Sequence, residues 1–319
     1  MPKLSLPTRS PRPRYHLTDF EKKVNRWFVL AHDLVTLPMT VVALFYNAKI
    51  QPVYGMTWRR SFKLAWAMYW NCVAIETATS FKAHLVMAVK LLEVPPERDG
   101  VVVECGCFQG GSATNLSLVC KIVGRDLILY DSFEGLPKSV DGDRFGNPFT
   151  EGAFRGSLDT VRANIEARGA IEVCTFRQGW FQDTLPHHTE TIELMLLDVD
   201  LQASLHDCLV NLWPHLRSRG FVFIDEYVFV DYCAVFFSER YWRTYFDETP
   251  PGLLGVGTGI PIGQYYLGPF LNTPALQSPG SIAYTQKDNS GFWDYYPEDH
   301  AGGGPDPAVA AEPTGTPST

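Results

Sequence analysis

Between residues 101 and 227, five short apolar runs, "VVVECG", "DLILYDSF", "IEVCTFRQG", "IELMLLDVD" and "FVFIDEY", alternate with stretches of helical periodicity. Strands apolar on both faces must be covered on both, and helices lying between them in sequence supply that cover. An α/β fold is expected, a Rossmann-like doubly wound, mainly parallel sheet. In such a sheet, ligands bind beyond the carboxyl ends of the strands. The residues that close each run are therefore the first place to look for chemistry.

The first run opens onto "VVVECGCFQGGSATNL". Glu104 closes a strand, Gly106 permits a tight exit, and Gly110 and Gly111 let a ligand approach the first amides of a helix. A pyrophosphate would be opposed by Glu104. A cofactor with a cationic centre and its own carboxylate suits the loop better, and S-adenosylmethionine carries both. Asp131, at the end of the second run, stands where an acid would accept the ribose hydroxyls of an adenosine cofactor. Asp198, Asp225 and Glu226 end two further runs as three oxygen donors suited to Mg2+ or a similar hard cation. Asp198 is also the candidate proton acceptor, with His188 and His206 as alternatives, while Asp200 is read either as a cap for the helix that follows it or as a further ligand or base of the site.

The stretches "VVECGCFQGGS", "LYDSFEGLP", "GAFRGSLDTVRANI", "FRQGWFQDTLP", "MLLDVDLQAS" and "FVFIDEY", in this order over about 75 to 232, resemble the macrocin O-methyltransferase family. The resemblance implies the class I methyltransferase form of the fold, S-adenosylmethionine and Mg2+ as cofactors, and methyl transfer to a hydroxyl of a sugar or natural product. By the same resemblance Glu104, Gly106 and Gly110 line the methionine end of the cofactor, Asp131 and Ser132 its ribose side, and Gly179 and Trp180 its adenine. Asp198, Asp225 and Glu226 fall on the metal positions. Where the family commonly reads D-x-Y-E-S, this chain has Asp200, Leu201, Gln202, Ala203 and Ser204, so fold and cofactor transfer further than the acceptor does. A nucleotide-sugar or nicotinamide enzyme, and a non-catalytic or partner-binding protein of the same fold, remain the alternative classes.

The organisation expected is a basic, Pro-rich disordered start over 1–16, a helical lid or substrate-side region over 17–99, the S-adenosylmethionine-binding catalytic domain over 100–283 and a flexible tail over 284–319. The aromatic stretches 27–46 and 228–246 are read as a water-excluding lid, and "QYYLGPF" at 264–270 as a strand. A net charge of -8 argues against nucleic acid as a partner. His32, Asp33 and Pro38 interrupt the apolar stretch that begins at Trp27 before a bilayer-spanning run accumulates, so a buried or lid helix without a membrane partner is expected, with a surface touching a membrane or an apolar substrate as the alternative. Seven cysteines without paired CxxC spacing are expected to be reduced, in a cytoplasmic setting. Self-association stays open.

Overall fold

The computed structural model describes residues 19–46, 48–138, 151–225, 230–253 and 282–288. Three helices come first, α1 (Asp19–Tyr46), α2 (Trp58–Ala74) and α3 (Phe81–Glu93). The alternating region follows as β1 (Val101–Cys105), α4 (Gly111–Val123), β2 (Leu127–Asp131), α5 (Leu158–Arg168), β3 (Cys174–Gln178), α6 (Phe181–Thr184), β4 (Ile192–Leu197), α7 (Gln202–Leu212) and β5 (Leu216–Ile224). Two short helices, α8 (Val230–Ala234) and α9 (Glu239–Tyr245), and the strand β6 (Ala283–Gln286) complete the described elements.

The six strands form one sheet in the order β3-β2-β1-β4-β5-β6. All neighbours are parallel except β6, which runs antiparallel along β5. The order reverses at β1, so the β1 and β4 chain ends splay to opposite sides and leave a crevice at the carboxyl edge. This is the doubly wound sheet the apolar runs call for.

Strand pleating separates two cores. Val102, Leu127, Leu129, Leu194, Leu196 and Phe223 point to one face, packed with α3, α4 and α5. Val103, Cys105, Ile128, Tyr130, Met195, Leu197, Val222 and Ile224 point to the other, where α7 contributes Leu205, Cys208, Leu209 and Leu212. Glu104 shares the parity of Val102 and is therefore turned toward α4, where it has no exposed surface.

The N-terminal helices belong to the first of these cores. A buried polar cluster joins α2, α3 and α4: Asn71 donates to Asn115 (2.9 Å), and Asn115 donates to His84 Nδ1 (2.8 Å). With Nδ1 accepting, Nε2 carries the ring proton and donates to Thr79 Oγ1 (2.5 Å). Burial holds the His84 pKa down at about 3, so the ring is neutral and the cluster needs no counter-ion.

Several expectations change. Helix α1 runs unbroken through Pro38, which lies on its exposed side. The described part of the aromatic stretch 228–246 holds α8 and α9, where Ser238 accepts a bond from the Tyr241 amide and starts α9. Its Trp242 is fully buried against Trp213, ring centroids 4.5 Å apart, so this residue belongs to the core and not to a lid. The tail expected from 284 begins with strand residues, since Tyr284, Thr285 and Gln286 pair with β5. The 1–16 start and the 264–270 strand lie outside the described residues. All seven cysteines are free thiols.

Candidate active site

The first loop owes its shape to two glycines. Gly106 has φ +88°, and a Cβ there would fall 1.8 Å from the Asp198 carbonyl oxygen. Gly110, at φ +81°, occupies the N-cap position of α4, where a Cβ would meet Val161 at 2.9 Å. Both positions demand the left-handed backbone region that glycine enters without steric cost.

An open cleft of about 810 Å³ lies at this edge of the sheet. Its walls include Gly106, Cys107, Gly111 and Ser112 from the first loop and α4, Asp131 and Ser132 after β2, and Gly179 and Trp180 after β3. Across the crevice stand Asp198, Val199, Asp200, Ser204 and Asp207. Six of the eight cofactor-contact residues expected from sequence are thus on one wall. Glu104 and Gly110 lie behind it, both buried.

Glu104 acts on the wall through Ser112, whose hydroxyl donates to its Oε1, while Oε2 is buried without a hydrogen-bond partner. Burial pushes its pKa up to about 8, against the opposing effect of the Ser112 bond. Glu104 thus reaches the cleft wall through a hydrogen bond to Ser112.

Asp131 holds two loops together. Its Oδ2 accepts from the Cys107 amide and its Oδ1 from the Phe133 amide, each at 2.6 Å. Burial raises its pKa, and the backbone donors from Cys107, Phe133 and Phe108 pull it back down. The Ser132 hydroxyl shapes the same turn, donating to the Gly135 carbonyl at 3.2 Å and accepting from the Glu134 amide at 3.1 Å.

The acidic wall differs from the one expected. Asp200 does not cap α7: Leu201 is the N-cap, with no side-chain cap bond, and Asp200 stands in the left-handed region at φ +57°. Burial, with the charge of Asp225 second, pushes the Asp200 pKa up to about 7. Burial likewise raises Asp225 to about 6, and its Oδ1 has no hydrogen-bond partner. Two carboxylates close enough to oppose each other's ionisation are a site for a shared proton or a cation. For a hard cation, oxygen donors are right in kind. However, no group of three His, Cys, Asp or Glu side chains gathers in ligating arrangement among the described residues, and Glu226 lies outside them.

Neither histidine alternative lines the cleft. His188 is buried between the Tyr130 hydroxyl (2.9 Å) and the Glu190 carbonyl (2.8 Å), and burial lowers its pKa. His206 is hydrogen-bonded to the Tyr241 hydroxyl at 2.9 Å.

Sequence reasoning missed other wall residues. Glu76, Thr77 and Ala78, between α2 and α3, are the part of the N-terminal region that reaches the cleft, and a Cβ on Gly111 would meet Thr77 at 2.7 Å. Phe108 and Phe154 line it with their rings edge to face, 5.6 Å apart. Both rings carried a signal, Phe108 in "CGCFQGG" and Phe154 in "GAFRG", whereas Glu76, Thr77 and Ala78 carried none.

A model of the macrocin O-methyltransferase family matches residues 85–245, from α3 through α9. The chain belongs to that family. Among its relatives, an 8-demethyl-8-(2,3-dimethoxy-alpha-L-rhamnosyl)-tetracenomycin-C 4'-O-methyltransferase of Streptomyces olivaceus is 37% identical over 145 residues, 42% of this chain and 55% of the relative. Demethyldecarbamoylnovobiocin O-methyltransferase of Streptomyces niveus is 28% identical over 52% of this chain and 70% of its own length. Mycinamicin III 3''-O-methyltransferase of Micromonospora griseorubida is 31% identical over 41% and 57%. The chain therefore spans between about half and 70% of the family members it matches. Among solved structures, the O-methyltransferase NovP aligns with a TM-score of 0.48 at 21% identity, covering 80% of this chain and 99% of that one.

Proposed function

We propose that the chain is an S-adenosylmethionine-dependent, Mg2+-assisted O-methyltransferase acting on a hydroxyl of a sugar or natural-product small molecule. The observation that carries this reading is the two-sided cleft. One wall, of Gly106, Ser112, Asp131, Ser132, Gly179 and Trp180, offers amides, an acid and an aromatic ring, and the wall facing it carries Asp198, Asp200 and Asp207. Three relatives named as O-methyltransferases, of a rhamnosyl-tetracenomycin, a demethyldecarbamoylnovobiocin and mycinamicin III, support the acceptor class.

When bound, S-adenosylmethionine supplies an electrophilic methyl group on a sulfonium. The chain's own contribution is position, exclusion of water and removal of a proton. Asp131 would accept the ribose hydroxyls with lone pairs left over from its two amide bonds, and Trp180 would cover the base. Phe108 and Phe154 close the same cleft with apolar surface, so that a bound hydroxyl is held out of water. Asp198 is the proposed acceptor of the hydroxyl proton. Asp200 lines the same cleft and is the alternative acceptor. Mg2+, when bound, would be held by Asp198, Asp225 and Glu226. The unpartnered Asp225 oxygen supports that assignment.

Titration calorimetry with S-adenosylmethionine, followed by transfer of its labelled methyl group to a panel of glycosylated natural products, tests the reading. Binding with transfer supports it. No cofactor binding moves the chain to the non-catalytic class.

A further inference from the structure

Helix α1 is apolar on all sides, yet only one side is packed. Leu30, Leu37, Val41 and Phe45 are buried, whereas Trp27, Val35, Met39, Val42 and Tyr46 on the other side are 54–78% exposed. Helix α2 adds Trp58, Phe62, Trp66 and Trp70, which recur every four residues and so share one flank, each at least 40% exposed. That flank borders α1. The Trp66 ring lies 6.4 Å from that of Tyr69, whose hydroxyl donates to the Leu30 carbonyl at 3.0 Å. The two helices thus present adjoining apolar surface of a kind that soluble proteins seldom leave open.

Charge is distributed just as unevenly. Residues 1–75 carry eleven lysines and arginines against three acids, a net of +8, while the whole chain is at -8 and the remainder therefore at -16. Arg59 and Lys63, both exposed, are on the same helix as the aromatic stripe. The chain-wide average conceals this basic end.

We propose that the outer face of α1 and α2 seats the protein on an anionic lipid bilayer, lying in the interfacial plane. Tryptophan and tyrosine favour headgroup depth, and basic residues beside an apolar helix face add attraction to anionic lipid. A second copy is the poorer occupant, because the described residues of 19–75 carry seven lysines and arginines against three acids, so it would set like charge against like. The Arg26–Tyr46 stretch is long and apolar enough to cross a membrane, with a mean hydropathy of 1.9. Its inner side is nevertheless fastened to the body. Asp33 pairs with Lys82 at 2.7 Å, both nearly buried, and Arg26 donates to the Val73 carbonyl at 3.1 Å. Crossing the bilayer would separate that pair and uncover α3, so α1 lies flat. The acidic remainder, repelled by the same surface, is held toward water.

Co-sedimentation of the full chain with vesicles of phosphatidylcholine, with and without phosphatidylglycerol, tests the proposal, together with light scattering of the free protein. Binding is expected with phosphatidylglycerol and at least about tenfold weaker without it or in high salt. The paired substitutions Val35→Glu with Met39→Glu, and Arg59→Glu with Lys63→Glu, should each weaken it by at least about tenfold while leaving thermal unfolding unchanged. All four side chains are exposed, so folding does not depend on them. Failure to bind either vesicle, or equal binding by folded variants, overturns the proposal. So does a stable dimer split by Val35→Glu with Met39→Glu and indifferent to vesicles, which would give the face to a second copy.

Discussion

Gly106 and Asp198 meet backbone to backbone: a methyl group on the glycine would lie 1.8 Å from the aspartate's carbonyl oxygen. The Asp198 amide in turn donates to the Cys105 carbonyl at 3.0 Å. The glycine of the first loop thus sets how closely the acidic strand end approaches the opposite wall. Gly106→Ala combines a left-handed φ, costing about 1–2 kcal/mol, with overpacking of about 1–3 kcal/mol. A destabilisation of about 2–5 kcal/mol is expected in urea melts, with S-adenosylmethionine affinity falling in whatever fraction remains folded. Wild-type stability and affinity together would refute this account of the loop.

Asp131→Ala leaves the Cys107 and Phe133 amides without their acceptor. Each bond to an ionised partner is worth about 1.5–3 kcal/mol. The variant should therefore lose stability as well as cofactor affinity. Asp131→Asn should behave almost as badly, because a side-chain amide has one acceptor oxygen for two donors. Paired denaturation and calorimetry check this, and full rescue by asparagine would show that the two amides are not what the carboxylate serves.

Glu104 predicts a pH effect. Its pKa is raised from 4.5 to about 8 in the folded protein by burial, so the folded state binds this proton more tightly than the unfolded chain. The associated stability is complete below about pH 4.5 and is lost as pH rises through about 8. Glu104→Gln keeps an acceptor for Ser112 and cannot ionise. Its melting temperature should decline less than that of wild type between pH 5 and pH 8, by on the order of a few kcal/mol in stability. Parallel pH profiles for the two proteins would place the ionisation elsewhere.

Asp200 and Asp225 oppose each other's charge. Removing one charge as Asp225→Asn should stabilise the metal-free protein near pH 8 by about 1 kcal/mol, since repulsion between two partly buried carboxylates is relieved. On the proposed metal role, the same variant should lose most methyl transfer and no longer respond to added Mg2+. Transfer by wild type should stop in chelator and return with Mg2+. Full activity in chelator, with cofactor binding intact, would end the metal assignment and leave the proton-acceptor role to the carboxylates alone.

What the sequence determined by itself was local. Runs such as "LMLLD", apolar on both faces, could only be interior strands, and their order and spacing carried the doubly wound sheet and the loops that line its edge. Asp131 and Asp198 were legible because a strand end has one place to deliver a side chain, the crevice beyond it, whereas Gly179 and Trp180 came from the family resemblance alone. Tertiary structure decided everything that depends on which segments meet. The burial of Glu104 follows from its strand parity, and its bond to the wall residue Ser112 from the packing of α4 on β1. Asp200 was read as a cap or as a member of the site, and its burial beside Asp225 arises from the pairing of β4 with β5, a relation between residues far apart along the chain. The Glu76–Ala78 stretch carries no periodic signal at all and reaches the site because the Asn71, His84 and Asn115 cluster fastens α2 and α3 onto α4. Periodicity records what each segment buries; it does not record against what, and desolvation and charge coupling are set by the second.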